Sequence, residues 1–228
     1  MKIIDSFGQS VDIIIPKNTN KLGISMSGGA DSSLLCYIVA DYLKKTNNSS
    51  ITIHPITCNW ETRPWSQHTV KTVVKKIEGL TRFTNWGQHY VFNVNQADMI
   101  SDERKQQMFK YYMGFIFQNN LIDHLFSGKT KNPPKEVMDT FIDQVYQVER
   151  NNPTKKSIYK APVETVPFAM VDKRFVIDQY KSYNILEELL PLTRSCEGDI
   201  NITENFTKEC GVCWWCNERK WALEQING

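Results

Sequence analysis

The chain has 228 residues, with 27 basic against 25 acidic side chains, so its formal net charge at neutral pH is only +2. A chain of this length buries about 70% of its unfolded surface and needs no disulfides to hold one compact domain together. The small net charge argues against a protein that binds nucleic acid mainly through the phosphate backbone. Nucleic acid is therefore not expected as a direct substrate. No apolar run reaches the ~18 residues that span a bilayer, and the N-terminus lacks a signal-peptide core, so we expect a cytoplasmic protein without a membrane partner.

Apolar, β-branched runs alternate along the chain with segments of helical period. Strands are predicted at 22–26, 51–58, 89–94 and 124–127. Helices are predicted at 32–45, 67–77 and 102–122, and a further helix is predicted to start at Pro133 and Pro134 and to run to about Val148. This alternation predicts an α/β fold, a single-domain doubly wound parallel sheet with helices on both faces.

A glycine-rich loop follows the first predicted strand and opens the first predicted helix. Free N–H groups and the helix macrodipole favour an anion at such a position. Gly28 and Gly29 let the backbone approach phosphate oxygens, and Asp31 is suited to hold a Mg²⁺ ion that bridges them. The alternative is a Gly-Gly turn in which Asp31 caps an ordinary helix. The candidate nucleotide-binding residues are Ser25, Ser27, Gly28, Gly29, Asp31, Ser32 and Ser33.

The loop contains no lysine, which a GxxxxGK[ST] phosphate loop would require. Residues 27–32, Ser-Gly-Gly-Ala-Asp-Ser, resemble instead the SGGxDS loop of the ATP-pyrophosphatase (PP-loop) superfamily. The resemblance implies an adenine nucleotide alpha hydrolase-like fold that binds ATP. It also implies cleavage of ATP between the α and β phosphates, with AMP and pyrophosphate as products.

Four of the six cysteines fall within 21 residues near the C-terminus, and three of them form a C-x2-C-x2-C run. Four thiolates at this spacing suit a closed tetrahedral Zn²⁺ site. An iron–sulfur cluster, which also takes four thiolates, and a metal-free tail are the alternatives. We expect residues 1–190 to form the nucleotide-binding domain and residues 191–228 to form a zinc-binding segment packed on it. The predicted metal ligands are Cys196, Cys210, Cys213 and Cys216.

Both ends of the chain together resemble the 7-cyano-7-deazaguanine synthase family. The SGGxDS loop is followed by T-x-S-C at 193–196 and by C-G-x-C-x-x-C-x-x-R at 210–219, and residues 167–173, P-F-A-M-V-D-K, resemble the family's proline-to-lysine turn. The family joins ammonia to the carboxylate of 7-carboxy-7-deazaguanine and dehydrates the amide to a nitrile, using ATP at each stage, in queuosine-type base biosynthesis. The resemblance implies catalytic roles for Asp31 and Lys173, the latter near the phosphates or the substrate oxygens. The alternative for Lys173 is an exposed residue after an Asp172 helix cap.

Two elements of that family are replaced in this chain. A Gly-Arg-Asn element corresponds here to residues 101–104, Ser-Asp-Glu-Arg, and an acidic loop after the fourth strand corresponds to residues 127–134. These replacements remove polar groups that would read a purine-like base, so another carboxylate is an alternative substrate. Arg219 is predicted to be either a ligand contact or a surface residue, and Trp214, Trp215 and Trp221 are predicted to pack around the metal.

Three hypotheses follow. The first is an ATP-dependent carbon–nitrogen ligase that acts on a deazapurine carboxylate, ammonia and ATP, with Mg²⁺ and Zn²⁺ as cofactors and a homodimer as a possible assembly. The second is a PP-loop tRNA-thiolation enzyme, against which the length and the charge count. The third is a non-catalytic nucleotide-binding module with degenerate substrate loops.

Overall fold

The computed structural model describes most of the chain. Residues 102–110 of the predicted middle helix and residues 142–148 of the predicted fourth helix lie outside the described part. Within that part, no helix combines the length and the apolar character that crossing a bilayer requires. The described residues are 1–60, 64–94, 111–141, 164–198, 201–205 and 207–227.

The chain opens with a hairpin in which strand β1, Lys2–Ile4, pairs antiparallel with strand β2, Ser10–Asp12. The carboxylate of Asp5 accepts the backbone N–H groups of Phe7 and Gln9 and so closes the turn between the strands. This hairpin is not among the predicted elements, because three-residue strands carry too short an alternation to identify from sequence.

Five parallel strands form the central sheet, in the order β5-β4-β3-β6-β7. The prediction of a parallel sheet is confirmed, and four of its five strands fall at the predicted places. The fifth strand, β7, is a two-residue edge strand that was not predicted. The strands are β3 (Lys21–Ser25), β4 (Thr52–Trp60), β5 (Tyr90–Val94), β6 (His124–Ser127) and β7 (Glu164–Thr165).

Helices cover both faces of the sheet, as the doubly wound fold predicts. Ile53 of β4 packs into a core shared with α1, Ala30–Lys45, and α2, Ser66–Thr81. Ile56 on the opposite face of the same strand packs instead with a third helix, α3, described over 111–118. Because β3 lies between β4 and β6, the chain turns away from it in both directions, and the end of β3 is the switch point where such sheets bind ligands.

Three predicted helix ends were wrong. The α3 helix ends at residue 118 rather than 122, because Asn120 adopts a left-handed φ of 51° that no α-helix continues. The α4 helix begins at Lys135, after the two prolines, but it ends at Met138, and residues 139–140 form a turn. The α2 helix runs past residue 77 to Thr81.

The last third of the described chain adds helices that pack on the face of the sheet covered by α1 and α2. Helix α5 packs against both α1 and α7, so the C-terminal segment contacts the core through α5. Phe175 and Tyr180 of α5 are fully buried in that core. The elements are α5 (Lys173–Ser182), α6 (Leu186–Leu189), a 3₁₀ turn (Leu190–Leu192) and α7 (Trp214–Asn227).

Candidate functional site

The glycine-rich loop joins the carboxyl end of β3 to the first turn of α1, at the switch point of the sheet. Gly29 is the N-cap of α1, and no side chain caps this helix. Asp31 lies inside the first turn, so the alternative in which Asp31 caps the helix is wrong. The N–H groups of the first turn and the helix dipole favour an anionic ligand here.

Gly28 has a left-handed φ of 81°, and a Cβ atom at this position would lie 2.8 Å from Cγ2 of Thr69. A side chain would therefore be both strained and in collision. The loop after β6 approaches α1 equally closely, since a Cβ atom on Gly128 would lie 2.8 Å from the carbonyl oxygen of Asp31. The two loops that leave the switch point thus meet backbone to backbone.

The loop serines differ in how reachable their hydroxyl groups are. Ser33 is fully buried and donates to the carbonyl oxygen of Gly29 over 2.8 Å, and Ser32 donates to the same oxygen over 3.2 Å. Ser27 is exposed and accepts the N–H of Gly29. Ser25 is half-buried at the end of β3. Ser27 is therefore the loop hydroxyl best placed to meet a ligand, whereas Ser33 supports the backbone.

Asp31 and Lys173 are brought together although they are 142 residues apart in the chain. The ammonium Nζ of Lys173 donates to both carboxylate oxygens of Asp31 over 2.6 Å each. The Lys173 side chain is only 3% exposed, and that of Asp31 is 19% exposed. The alternative of an exposed Lys173 is wrong, although Asp172 does cap α5 by accepting the N–H of Arg174.

The N-terminal hairpin supports the start of α5. The side chain of Gln9 accepts the backbone N–H of Asp172 over 3.1 Å and donates to its carboxylate over 3.4 Å. The Ser6 hydroxyl donates to the carboxylate of Asp178, one turn and a half further along the helix. These contacts fix the turn that carries Lys173, and no motif in the sequence points to Ser6 or Gln9.

A second carboxylate, that of Glu218 on α7, lies 3.4 Å from Nζ of Lys173. Glu218 is completely buried. Sequence analysis missed it because it stands inside the C-x-x-C-x-x-R run, where only the cysteines and the arginine match a known pattern. A buried acidic residue is unusual and therefore marks a candidate site, but only the structure shows that Glu218 is buried.

The four predicted metal ligands form one cluster in which all four Sγ atoms lie within 4.8 Å of one another. The Cys196 sulfur accepts the N–H groups of Cys210 and Gly198 over 3.2 and 3.3 Å. Hydrogen bonds from the thiols of Cys213 and Cys216, together with these N–H groups, hold the pKa of Cys196 well below its usual range, because they stabilise a thiolate. The group is therefore suited to bind a metal ion.

One sulfur separation in the cluster matches the geometry of a single tetrahedral ion. Four sulfurs at the zinc–sulfur distance of about 2.3 Å around one tetrahedral ion lie about 3.8 Å apart. The Sγ atoms of Cys210 and Cys216 are 3.9 Å apart. A four-iron cube held by four thiolates spreads its ligands further, since the cluster itself lies between them.

The segment that carries Cys196 forms one wall of the glycine-rich loop. Arg194 donates its backbone N–H to the carbonyl oxygen of Gly28 over 2.7 Å. The hydroxyl of Ser195 accepts the N–H of Ala30, the first residue of α1, over 3.4 Å. The cysteine cluster and the candidate nucleotide loop are therefore adjacent.

Arg219 is neither an exposed residue nor a group directed at the loop. Its guanidinium donates to the carbonyl oxygens of Leu190 and Thr193 and to the carboxylate of Glu209. It therefore ties α7 to the segment that leads into Cys196. Of the three tryptophans predicted to pack around the metal, only Trp215 is described as packing on the cysteines. Trp214 packs edge-on against Phe141. The ring centroid of Trp221 lies 5.1 Å from the guanidinium carbon of Arg174.

The loop after β6 brings polar side chains to the same edge of the sheet. The hydroxyl of Ser127 donates to the carboxylate of Glu164 over 2.8 Å. Thr130 and Asn132 are buried, and the Thr130 hydroxyl has no hydrogen-bond partner among the described residues. Lys129 is exposed. This edge therefore offers polar groups next to the glycine-rich loop.

Comparison with known proteins yields no family. No family model matches the chain, and no curated protein matches it. Among solved structures, the chain is similar to the U34-tRNA thiolase NcsA from Methanococcus maripaludis, determined with its [4Fe-4S] cluster. The likeness covers 91% of this chain and 72% of that one, at 13% identity and a TM-score of 0.47. At this identity and TM-score, the likeness does not indicate which reaction this chain catalyses.

Proposed function

We propose that this chain binds Mg-ATP at the glycine-rich loop and transfers AMP to an oxygen atom of a small-molecule substrate. The observation that carries the proposal is the loop itself, which joins a buried strand to a helix N-terminus at the switch point of the sheet. Gly28 there leaves room only for backbone, which suits close contact with phosphate oxygens. The buried ammonium of Lys173, supplied by α5, contacts Asp31 in the first turn after the loop.

Cleavage at the α-phosphate fits the placement of the charges. The loop has no lysine of its own to reach β and γ phosphates, and the nearby ammonium is supplied by α5. The substrate oxygen attacks the α-phosphorus, the bond from that phosphorus to the bridging oxygen breaks, and pyrophosphate leaves. Lys173 offsets the negative charge that develops on the phosphate oxygens during this step.

Mg²⁺ fits Asp31. Each carboxylate oxygen of Asp31 accepts one hydrogen bond from Lys173 and keeps a further lone pair, and the side chain is partly exposed. When bound, the ion supplies charge neutralisation to the phosphates. Asp31 would hold the ion, while Lys173 would offset the charge of the phosphates.

The substrate that we propose is a carboxylate, which reacts in two stages. Attack of ammonia on the acyl-adenylate expels AMP and gives an amide. If the resemblance to 7-cyano-7-deazaguanine synthase extends to the substrate, the amide oxygen is adenylated by a second ATP. Loss of AMP and of two protons from nitrogen then gives the nitrile. Lys129 and the buried Thr130 offer a cation and a hydroxyl group at the edge where the substrate would bind.

The two cysteines outside the cluster do not favour sulfur transfer through a protein persulfide. Outside the cluster, Cys36 is fully buried, and burial raises the pKa of its thiol. Burial also raises the pKa of Cys58 to about 11. A protein persulfide that passes sulfur to tRNA needs a reachable thiol of low pKa, which neither residue provides. For the cluster we propose zinc, because the 3.9 Å separation of the Cys210 and Cys216 sulfurs matches one tetrahedral ion.

The test is to incubate the metal-loaded protein with Mg-ATP, ammonium and 7-carboxy-7-deazaguanine and to follow nucleotide and base by mass spectrometry. We expect AMP, pyrophosphate and a base product. Asp31→Asn should abolish all three, whereas Asp41→Asn, at the other end of α1 where Asp41 pairs with Lys45, should behave as wild type.

Other outcomes separate the alternatives. Conversion of tRNA with a sulfide source, and not of the base, would identify a thiolation enzyme. Nucleotide binding with no AMP in the presence of any substrate would identify a non-catalytic module. AMP formed only with other carboxylates would support adenylation but would show that 7-carboxy-7-deazaguanine is not the substrate.

A further inference from the structure

A line of three charged groups, of which Lys173 and Glu218 are buried and Asp31 is partly exposed, runs from the glycine-rich loop to the cysteine segment. Asp31 on α1 contacts Lys173 on α5, and Lys173 contacts Glu218 on α7. The exposed fractions of the three side chains are 19%, 3% and 0%. The line therefore contains two carboxylates and one ammonium, and it becomes more deeply buried away from the loop.

The single ammonium is shared unequally between the carboxylates. Lys173 contacts Asp31 at 2.6 Å but Glu218 at 3.4 Å. Burying a carboxylate is costly unless a cation lies close by, and the ammonium of Lys173 is close enough to offset part of the charge of Glu218. Lys173 in turn loses part of its stabilisation whenever Asp31 engages another cation.

Mg-ATP brings such a cation to Asp31. Because Asp31 is the partly exposed end of the line, its carboxylate can contact the Mg²⁺ ion. Lys173 must meanwhile remain beside the phosphates. Glu218, whose carboxylate lies 3.4 Å from Nζ of Lys173, is then a second group of opposite charge that retains Lys173.

We infer that Glu218 is a positioning residue, which holds Lys173 in place when Asp31 engages Mg²⁺-bound nucleotide. The inference rests on the proposed function. Glu218 does not touch the substrate and acts through Lys173.

Neighbouring residues on both sides of Glu218 fix the position of this turn of α7. Glu218 lies two residues after the cluster cysteine Cys216 on α7. The next residue, Arg219, ties the same turn to Leu190 and Thr193. The turn of α7 that carries Glu218 is thus anchored on both sides, as a group that positions another side chain requires.

The test compares Glu218→Gln with Glu224→Gln, an exposed glutamate on the same helix. Binding of α,β-methylene-ATP, which is not cleaved between those phosphates, is titrated with Mg²⁺. Without the charge of Glu218, Lys173 is held more strongly by Asp31, so Mg²⁺ competes less well for the Asp31 carboxylate. We expect Glu218→Gln to raise the Mg²⁺ concentration for half-maximal binding about tenfold. In turnover it should lower kcat for AMP formation more than it raises the KM for ATP. Glu224→Gln should match wild type.

The same titration in a Lys173→Gln background separates positioning from structural support. If Glu218 acts through Lys173, adding Glu218→Gln to Lys173→Gln changes the Mg²⁺ requirement less than twofold. Thermal unfolding and circular dichroism establish that each variant is folded. Glu218→Ala replaces Glu218→Gln if the latter does not fold.

The outcomes distinguish this inference from the proposed function. If the wild-type chain binds no nucleotide, the proposed function fails and the inference fails with it. If wild type binds nucleotide and forms AMP but Glu218→Gln behaves as Glu224→Gln, the inference alone is wrong. An equally large effect of Glu218→Gln in both backgrounds would also overturn it.

Discussion

The backbone N–H of Arg194 donates to the carbonyl oxygen of Gly28 over 2.7 Å, so the segment that leads into the cysteine cluster is bonded directly to the glycine-rich loop. Cys196, a cluster residue, follows two residues later. The metal site that we propose would therefore support the nucleotide loop as well as the C-terminal helix.

Replacing Gly28 with alanine should disable the loop. The residue has a φ of 81°, and the added Cβ would lie 2.8 Å from Cγ2 of Thr69. We expect Gly28→Ala to lower the free energy of unfolding by about 1 to 3 kcal/mol and to weaken nucleotide binding at least tenfold, as measured by urea unfolding and calorimetry.

Gly79 provides the matched control for this prediction. It lies within α2, and a Cβ there would meet nothing within 4 Å. Gly79→Ala should leave nucleotide binding unchanged and raise the free energy of unfolding by about 0.4 to 1 kcal/mol. Equal effects of the two substitutions would contradict the role given to Gly28.

Removing one cysteine of the cluster should release the metal. We expect Cys213→Ser to reduce bound zinc from about one equivalent per chain to nearly none, as measured by elemental analysis. The melting temperature should fall, because α7 loses the ion that fixes its first turn. Cys58→Ser, outside the cluster, should retain the metal. Iron with a visible absorption band in the wild-type protein would identify an iron–sulfur centre instead.

Arg219 should contribute to stability rather than to substrate contact. Its guanidinium bonds the carbonyl oxygens of Leu190 and Thr193. Arg219→Gln should lower the free energy of unfolding by about 1 to 3 kcal/mol, because these part-buried oxygens lose charged donors. Lys220→Gln, at the exposed neighbouring position, should change it by less than about 0.5 kcal/mol. A normal stability of Arg219→Gln combined with a raised KM would point to ligand contact.

Stability should fall as the pH drops below about 6.5. Burial lowers the pKa values of His54, His89 and His124 in the folded chain. Below the unfolded pKa, the unfolded chain takes up protons that the folded chain resists, so protonation favours unfolding.

Urea unfolding between pH 8 and pH 5.5 measures this dependence. His124→Gln should flatten it, since the amide keeps a hydrogen-bond partner for Thr165 without titrating. An unchanged pH profile of this variant would show that His124 does not contribute.

The predicted and the unpredicted elements differ in a physical way. Strands such as Lys21–Ser25 were found because a strand buried on both faces is a continuous apolar run. The glycine-rich loop and the four cysteines were found because their chemistry depends on short spacings. The burial of Lys173 was not found, because its partner Asp31 is 142 residues away and no local pattern encodes the contact.

Two other misses have local causes. The helix after Pro134 ends within four residues, because tertiary context overrides helix propensity over so short a segment. The hairpin that carries Gln9 has strands of only three residues. Its function, to support the start of α5 through Asp172, appears only when the two ends of the domain are seen together.

Adenylation of a carboxylate oxygen is tested most directly with an ¹⁸O-labelled carboxylate substrate. If the substrate oxygen attacks the α-phosphorus and ammonia then expels AMP, the label is transferred, and mass spectrometry will find one ¹⁸O atom in the AMP produced. Unlabelled AMP, or ADP and inorganic phosphate in its place, would contradict the account.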